Sequence, residues 1–147
     1  MGHQLNQNNS ATAKRSAMMS RIGSKDTNPE IVTRRWLHAH GLRFRLHRKD
    51  LPGKPDIILP RHRLAILVHG CFWHQHPNCR LASKPKTRIE YWNPKLAGNM
   101  RRDLQVQAEL RALGWRVEVI WECETRTTEG LKKRLETLIS GLNISRR

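Results

Sequence analysis

Acidic residues are scarce in this chain of 147: twelve Asp and Glu stand against 28 Lys and Arg, a formal charge of +16 with histidine neutral. So one-sided a balance in a small chain suits a polyanion rather than a neutral metabolite, and nucleic acid is the first partner expected. Long hydrophobic runs are also missing. The longest in the middle of the chain, Leu64 to Val68, has five residues, against about 20 for a membrane-spanning helix. The N-terminal stretch has no apolar segment of signal-peptide length. No membrane association is expected, and a cytoplasmic setting follows. Cysteine is nearly absent: three residues, an odd number, argue against a disulfide framework and for a reducing compartment in which the thiols hold a metal. Aromatic residues number only eight, so those in polar stretches carry information. Apolar residues still make up 37% of the chain, enough for one packed core.

The positive charge is unevenly spread. Residues 14 to 63 hold thirteen basic and four acidic groups, residues 80 to 102 seven and one, and residues 103 to 147 eight and seven. A phosphate-binding face should therefore come from the first 102 residues, with the last third as scaffold. Residues 1 to 13, rich in Asn, Gln, Ser and Thr, read as a disordered arm. Residues 14 to 26 read as a basic arm whose helix, Lys14 to Ile22, carries Met18, Met19 and Ile22 on or near one face. The folded domain is expected over residues 27 to 147.

Within that domain Asn28-Pro29-Glu30 predicts a helix start, with a capping side chain, a proline at the first helical position and a carboxylate in the first turn. Ile31, Val32, Trp36, Leu37 and Ala39 give its apolar face, and Gly41 ends it. Leu42 to Leu46 alternates apolar and basic residues like a half-buried strand. Asp56 to Leu59 and Arg63 to Val68 read as central strands joined by Pro60-Arg61-His62. A Cys/His-rich loop and a basic loop precede a helix from about Leu96 to Leu113, capped by Gly114. Arg116 to Trp121 predicts another strand and Thr128 to Ser140 a closing helix, with Leu131, Leu135, Leu138 and Ile139 inward. The order is α-β-β-β-α-β-α, an α/β fold with an extra helix in front.

Cys71, His76 and Cys79 follow the pattern C-x4-H-x2-C, and Cys123 lies just past the last strand. Three thiolates and one imidazole make a closed tetrahedral zinc shell, with buried free thiols as the plain alternative. A closed shell leaves no position for water, so this metal holds a loop and chemistry must lie elsewhere. Asp56 at the head of one strand and His69 at the end of its neighbour bring a carboxylate and an imidazole together. Metal-assisted phosphodiester hydrolysis needs such a pair: oxygen ligands for Mg²⁺, here Asp56 and the backbone carbonyl of Val68, and His69 or His74 to move a proton or contact phosphate. Taken singly, a strand-end Asp is more often a turn residue and an isolated His more often structural.

The strings LPGKPDIIL at 51 to 59, HGCFWHQHPNC at 69 to 79 and GWRVEVIWEC at 114 to 123 resemble the very-short-patch mismatch repair endonucleases, over about Lys14 to Leu138. The resemblance implies a restriction-endonuclease-like core, a mixed sheet flanked by helices, with a structural zinc. It also implies nicking of one strand beside T:G mismatches left when 5-methylcytosine deaminates. It assigns metal binding to Asp56, catalysis to His69, His74 and Glu30, and zinc ligation to Cys71, His76, Cys79 and Cys123. Where most enzymes of that core carry acid-x-lysine, Leu67, Val68 and His69 stand here. Two local departures are Pro77-Asn78, one residue more than in one member of the family, and Val68 in place of a threonine, where only the carbonyl would ligate.

Phe72 and Trp73 inside the Cys/His loop and Trp92 in the basic stretch are flat rings that can enter a weakened base step. By resemblance these three wedge in from the major groove while Met19 enters the minor groove. Trp36, Trp115 and Trp121 fall on periodic faces and are assigned to the core. The expected protein is a monomeric, Mg²⁺-dependent, zinc-stabilised strand-nicking endonuclease on double-stranded DNA. Its work would follow a cytosine-5 DNA methyltransferase and precede a repair polymerase and ligase. The competing expectations are a noncatalytic zinc-stabilised DNA-binding module, which has no use for Asp56 with His69, and a restriction endonuclease cutting both strands of undamaged DNA.

Overall fold

A computed structural model describes residues 26–142, so the basic helix over Lys14 to Ile22, Met19 included, lies outside the described residues. The elements run α1 (Asn28–Ala39), β1 (Arg45–Leu46), β2 (Ile57–Leu59), β3 (Leu64–His69), α2 (Ile89–Ala112), β4 (Arg116–Trp121) and α3 (Thr128–Ser140), with short 3-10 turns between some of them. The expected order among these residues is observed.

The strands form one mixed sheet in the order β1-β2-β3-β4. β1 and β2 pair antiparallel, as do β2 and β3, whereas β3 and β4 are parallel, because α2 carries the chain back across the sheet between them. Both faces are covered. Ile57, Leu59, Leu64, Ile66 and Ile120 pack with Leu37 of α1 and with Leu131, Leu135 and Leu138 of α3. Ile58, Ala65, Leu67 and Val117 pack with Leu110 and Trp115 on the side of α2. Strands buried on two faces show continuous apolar runs instead of alternation, which is why β2 and β3 read as central. The arrangement is an α/β fold with a mixed four-stranded sheet between helices.

Several expectations need correction. The first strand spans only Arg45–Leu46 and both residues are exposed; it is a sheet edge, and Leu42 joins the core from the turn after α1 instead. Thr27, not Asn28, stands at the N-cap of α1 and no side chain caps it. α2 begins at Ile89 rather than near Leu96 and takes Pro94 into its body. Proline lacks an N–H and usually marks a boundary, which concealed the first two turns. Trp115 is core and Trp36, partly buried, packs against the core, whereas Trp121 is partly buried and belongs to neither core cluster.

The segment before β2 is pinned against α2. Gly53 has φ +71° and a side-chain carbon there would lie 2.4 Å from Val106 of α2, so only glycine fits both the backbone and the gap. Asp56 thereby enters β2 from a segment docked on the helix that carries Asp103.

Candidate active site and metal cluster

The metal-ligand candidates stand at the ends of the two parallel strands. β3 leads through Gly70 into Cys71, β4 leads through Glu122 into Cys123, and the loop between brings in His76 and Cys79. All four ligating atoms lie within 4.8 Å of one another. His76 Nδ1 is 3.4 Å from Cys123 Sγ and 3.7 Å from Cys71 Sγ. A tetrahedral zinc shell puts its ligand atoms about 3.5 to 3.8 Å apart, so the spacing fits. The donor chemistry fits too: burial pushes the Cys71 thiol up to about 12 and raises that of Cys123, and a thiolate cluster needs a cation to exist at neutral pH. The Pro77-Asn78 gap is closed by Asn78 in the left-handed region at φ +58°, a conformation asparagine adopts readily. The carboxylate of Glu122 accepts the Cys71 N–H at 3.2 Å, and the Cys123 N–H donates to Cys71 Sγ at 3.4 Å. These outer contacts set the ligand orientations.

Next to the cluster, His69 and His74 stack face to face, ring centroids 3.8 Å apart and planes within 6°. Asp103 of α2 accepts from His74 Nδ1 at 2.7 Å and lies 3.9 Å from His69 Nε2. His69 is 6% exposed, and burial followed by the charge of His74 pushes its pKa down to about 4, so it is neutral at physiological pH. Asp56 is one strand away. Its Oδ2 accepts the Val68 N–H at 2.7 Å, which sets the main chain of Val68 against the carboxylate. Burial, with the negative charge of Glu30 adding to it, pushes Asp56 up to about 7. A carboxylate whose ionised form is disfavoured this way is one that a cation would relieve, and its hard oxygens suit Mg²⁺.

Glu30 is not gathered with the histidines. It is 1% exposed and its Oε1 accepts from Arg34, His47 Nε2 and the Asp26 N–H at 3.0 to 3.1 Å. Asp56 links the two halves: its carbonyl accepts the His47 N–H at 3.2 Å, while its carboxylate holds the residue before His69.

Phe72, Trp73 and Trp92 form one ring cluster where the Cys/His loop meets the start of α2, with centroids 5.3 to 5.8 Å apart. Tyr91, which the sequence reading passed over, extends it, edge-on to Trp92 at 5.0 Å and exposed. Lys95 stands 5.9 Å from both Trp73 and Tyr91, and Asn99 donates to the Trp73 carbonyl at 3.1 Å. Asp103, His47 and Trp121 were missed as well. Asp103 stands in the sequence as an acid directly after a basic stretch, which does not place it beside His74.

Rings beside a carboxylate–imidazole site on a strongly basic chain suit an enzyme acting on nucleic acid. The profile of the family described as DNA mismatch endonuclease Vsr matches residues 8–81. The chain belongs to that family. Vsr-family relatives are similar along most of their length. The type II nicking enzyme V.XorIIP of Xanthomonas oryzae is 49% identical over 126 residues, covering 86% of this chain and 92% of the relative. The DNA mismatch endonuclease Vsr of Escherichia coli is 42% identical over 134 residues, 88% and 85% of the two chains. The type II nicking enzyme V.NmeAIP of Neisseria meningitidis is 38% identical over 128 residues, 87% and 91%. Membership of the Vsr family makes this chain a DNA mismatch endonuclease. No helix among the described residues is long and apolar enough to cross a membrane.

Proposed function

We propose that this endonuclease nicks one strand beside the T of a T:G mismatch left by deaminated 5-methylcytosine, with Mg²⁺ at Asp56 and a structural zinc on Cys71, His76, Cys79 and Cys123. The observation that carries the reading is the Asp56 carboxylate set against Val68, with the His69–His74–Asp103 group at the end of the same strand. Asp56 and the Val68 carbonyl would hold the Mg²⁺, which when bound supplies Lewis-acid chemistry toward a phosphodiester. The zinc would fasten the loop, its shell closed to water.

The chain's own groups then have distinct tasks. His74 gives its Nδ1 proton to the hydrogen bond with Asp103, which leaves Nε2 as the nitrogen that accepts a proton. We read His74 as the general base on that ground, with the buried neutral His69 stacked on it and keeping its ring aligned. Glu30 keeps the Asp56 side of the site negative and is itself fixed by Arg34 and His47. Phe72, Trp73 and Trp92 would enter the major groove at a base step that a wobble pair has already weakened. The basic arm, residues 14 to 26 with Met19, would take the minor groove, and residues 27 to 147 form the nuclease domain. We read the mixed sheet between helices as a restriction-endonuclease-like core.

The enzyme acts in this reading as a cytoplasmic monomer at the nucleoid, on lesions that require a cytosine-5 methyltransferase, and leaves a nick for polymerase and ligase. A nicking assay in Mg²⁺ over duplexes with T:G, other mismatches and matched pairs in varied flanks tests it. One-strand cleavage confined to T:G is expected. Double-strand cleavage of matched DNA would make it a restriction enzyme, and tight binding with no cleavage of any duplex a binding module.

Two variants probe the assigned roles. Asp103→Asn is expected to lower the single-turnover nicking rate about 10- to 100-fold, the usual loss when a hydrogen-bond partner behind a functional imidazole is removed, with DNA affinity unchanged. Rapid-quench kinetics beside a binding titration separates the two. Trp73→Ala is expected to lose discrimination between mismatched and matched duplex by ~1 to 3 kcal/mol, the scale of stacking one base on an aromatic ring. Its salt dependence should stay, because that slope counts phosphate contacts. Equal weakening on both duplexes would make Trp73 a packing residue of the loop.

A further inference from the structure

Among the described residues, the ring of His69 is held without hydrogen bonds. Its Nδ1 is buried with no partner among the described residues, and its Nε2 stands 3.9 Å from the nearest Asp103 oxygen, too far for a bond. Two ring contacts do the holding instead. One is the stack on His74. The other is Trp121, the residue paired with His69 across the parallel strands, whose indole meets the His69 ring at 5.2 Å and 75°. The same indole stacks on His76 at 4.1 Å with planes within 10°. His76 is the imidazole of the Cys/His cluster, with Nδ1 turned to the sulfurs of Cys71 and Cys123.

We propose that Trp121 is a positioning residue that transmits the orientation of the cluster imidazole His76 to the active-site imidazole His69. The proposal rests on the site assignment above, and on geometry for the transmission. When the cluster's Nδ1 is engaged, the plane of His76 is fixed; a stacked indole must follow that plane; and His69, with no hydrogen bond of its own, must follow the indole. The path continues to His74, whose own anchor is Asp103. A cluster closed to water thereby acts on the reaction, through one tryptophan, by keeping the imidazole pair aligned. A large flat ring is required: a leucine would fill space without imposing a plane, and a phenylalanine would keep the plane with less reach.

The test compares Trp121→Leu and Trp121→Phe with wild type in the zinc-loaded full chain. Zinc stoichiometry, melting temperature, affinity for T:G duplex and single-turnover nicking rate are measured, together with imidazole NMR signals in histidine-labelled protein. Trp121→Leu is expected to keep its zinc and its affinity, to nick about 10- to 100-fold more slowly, and to shift the His69 and His74 ring signals. Trp121→Phe should recover much of the rate and move those signals back toward wild type. Leu-variant rate and ring signals equal to wild type overturn the proposal. So does a loss of rate in both variants that tracks loss of zinc or of melting temperature, since Trp121 would then be a packing residue. If Trp121→Leu does not fold, Trp121→Met takes its place: shifted His69 signals with a slower rate at full zinc content support the path, and unchanged signals refute it. The NMR comparison needs no DNA, so a wild-type chain that nicks no mismatch would end the functional reading and leave the His76–Trp121–His69 coupling to be judged by itself.

Discussion

Replacing Asp56 by asparagine or alanine is expected to lower single-turnover nicking of T:G duplex by about a thousandfold or more, several kcal/mol of lost transition-state stabilisation, while duplex affinity stays near wild type. Affinity is set by the many Lys and Arg on phosphate, and Asp56 contributes nothing attractive to a polyanion. Asparagine is the cleaner variant, because its carbonyl oxygen can still accept the Val68 N–H that Oδ2 accepts at 2.7 Å. A stability measurement sharpens the test. The Asp56 carboxyl is raised from 3.8 to about 7 in the fold, so between those values the unfolded chain ionises first. Ionised Asp56 therefore weighs against the fold as pH rises, most fully above about 7. In Mg²⁺-free buffer at pH 8, with the zinc retained, Asp56→Asn should melt at or above the wild-type temperature, and it should stay inactive when Mg²⁺ is restored. Near wild-type nicking in Mg²⁺ by this variant would remove Asp56 from the site.

Cys123→Ser is expected to have the next largest effect, on the fold and on activity together. The purified protein should carry one zinc per chain, and the variant should lose it. Apparent zinc binding at structural sites is worth on the order of 10 kcal/mol and is coupled to folding, as large as the whole stability of a small domain. In place of a single sharp transition the variant should show a lowered, broadened melt and an early proteolytic cut between residues 71 and 88. Metal analysis of wild type that returns no zinc, or a serine variant that melts and nicks as before, would reduce the cluster to three free thiols and an imidazole.

What could be read in the sequence follows from how local each signal is. Cys71, His76 and Cys79 lie within nine consecutive positions, and Cys123 lies just past a strand that alternates plainly, so the cluster was legible in the sequence. α3 was legible to the residue, because the 3.6-residue period of Leu131, Leu135 and Leu138 runs through Thr128–Ser140. Asp103 was not, since its meeting with His74 depends on where α2 starts and how it crosses the sheet, and Pro94 hid that start. Glu30 looked like an ordinary first-turn carboxylate; its burial arises from His47 and Arg34 folding over it, a tertiary event with no periodic trace. Trp121 sits on a regular strand face, and nothing in that regularity distinguishes packing a core from bridging two imidazoles. The mismatch preference came from the resemblance, as composition indicates only a polyanion.

The cluster also has a meaning for the unfolded chain. Its two strand-end ligands are 52 positions apart, and a metal joining them acts as a crosslink around a loop that contains the ring cluster, Asp103 and all of α2. Chain-entropy arithmetic for a crosslink of that span gives about 4 kcal/mol removed from the disorder available to the unfolded state. The parallel pair β3·β4 is the slow, non-local contact of this fold, and the same crosslink keeps its two strands within reach of each other. With metal bound there, a chelator is expected to release the ring cluster, the Asp103 anchor and the parallel seam of the described residues in one event, and refolding should be slower when metal is withheld.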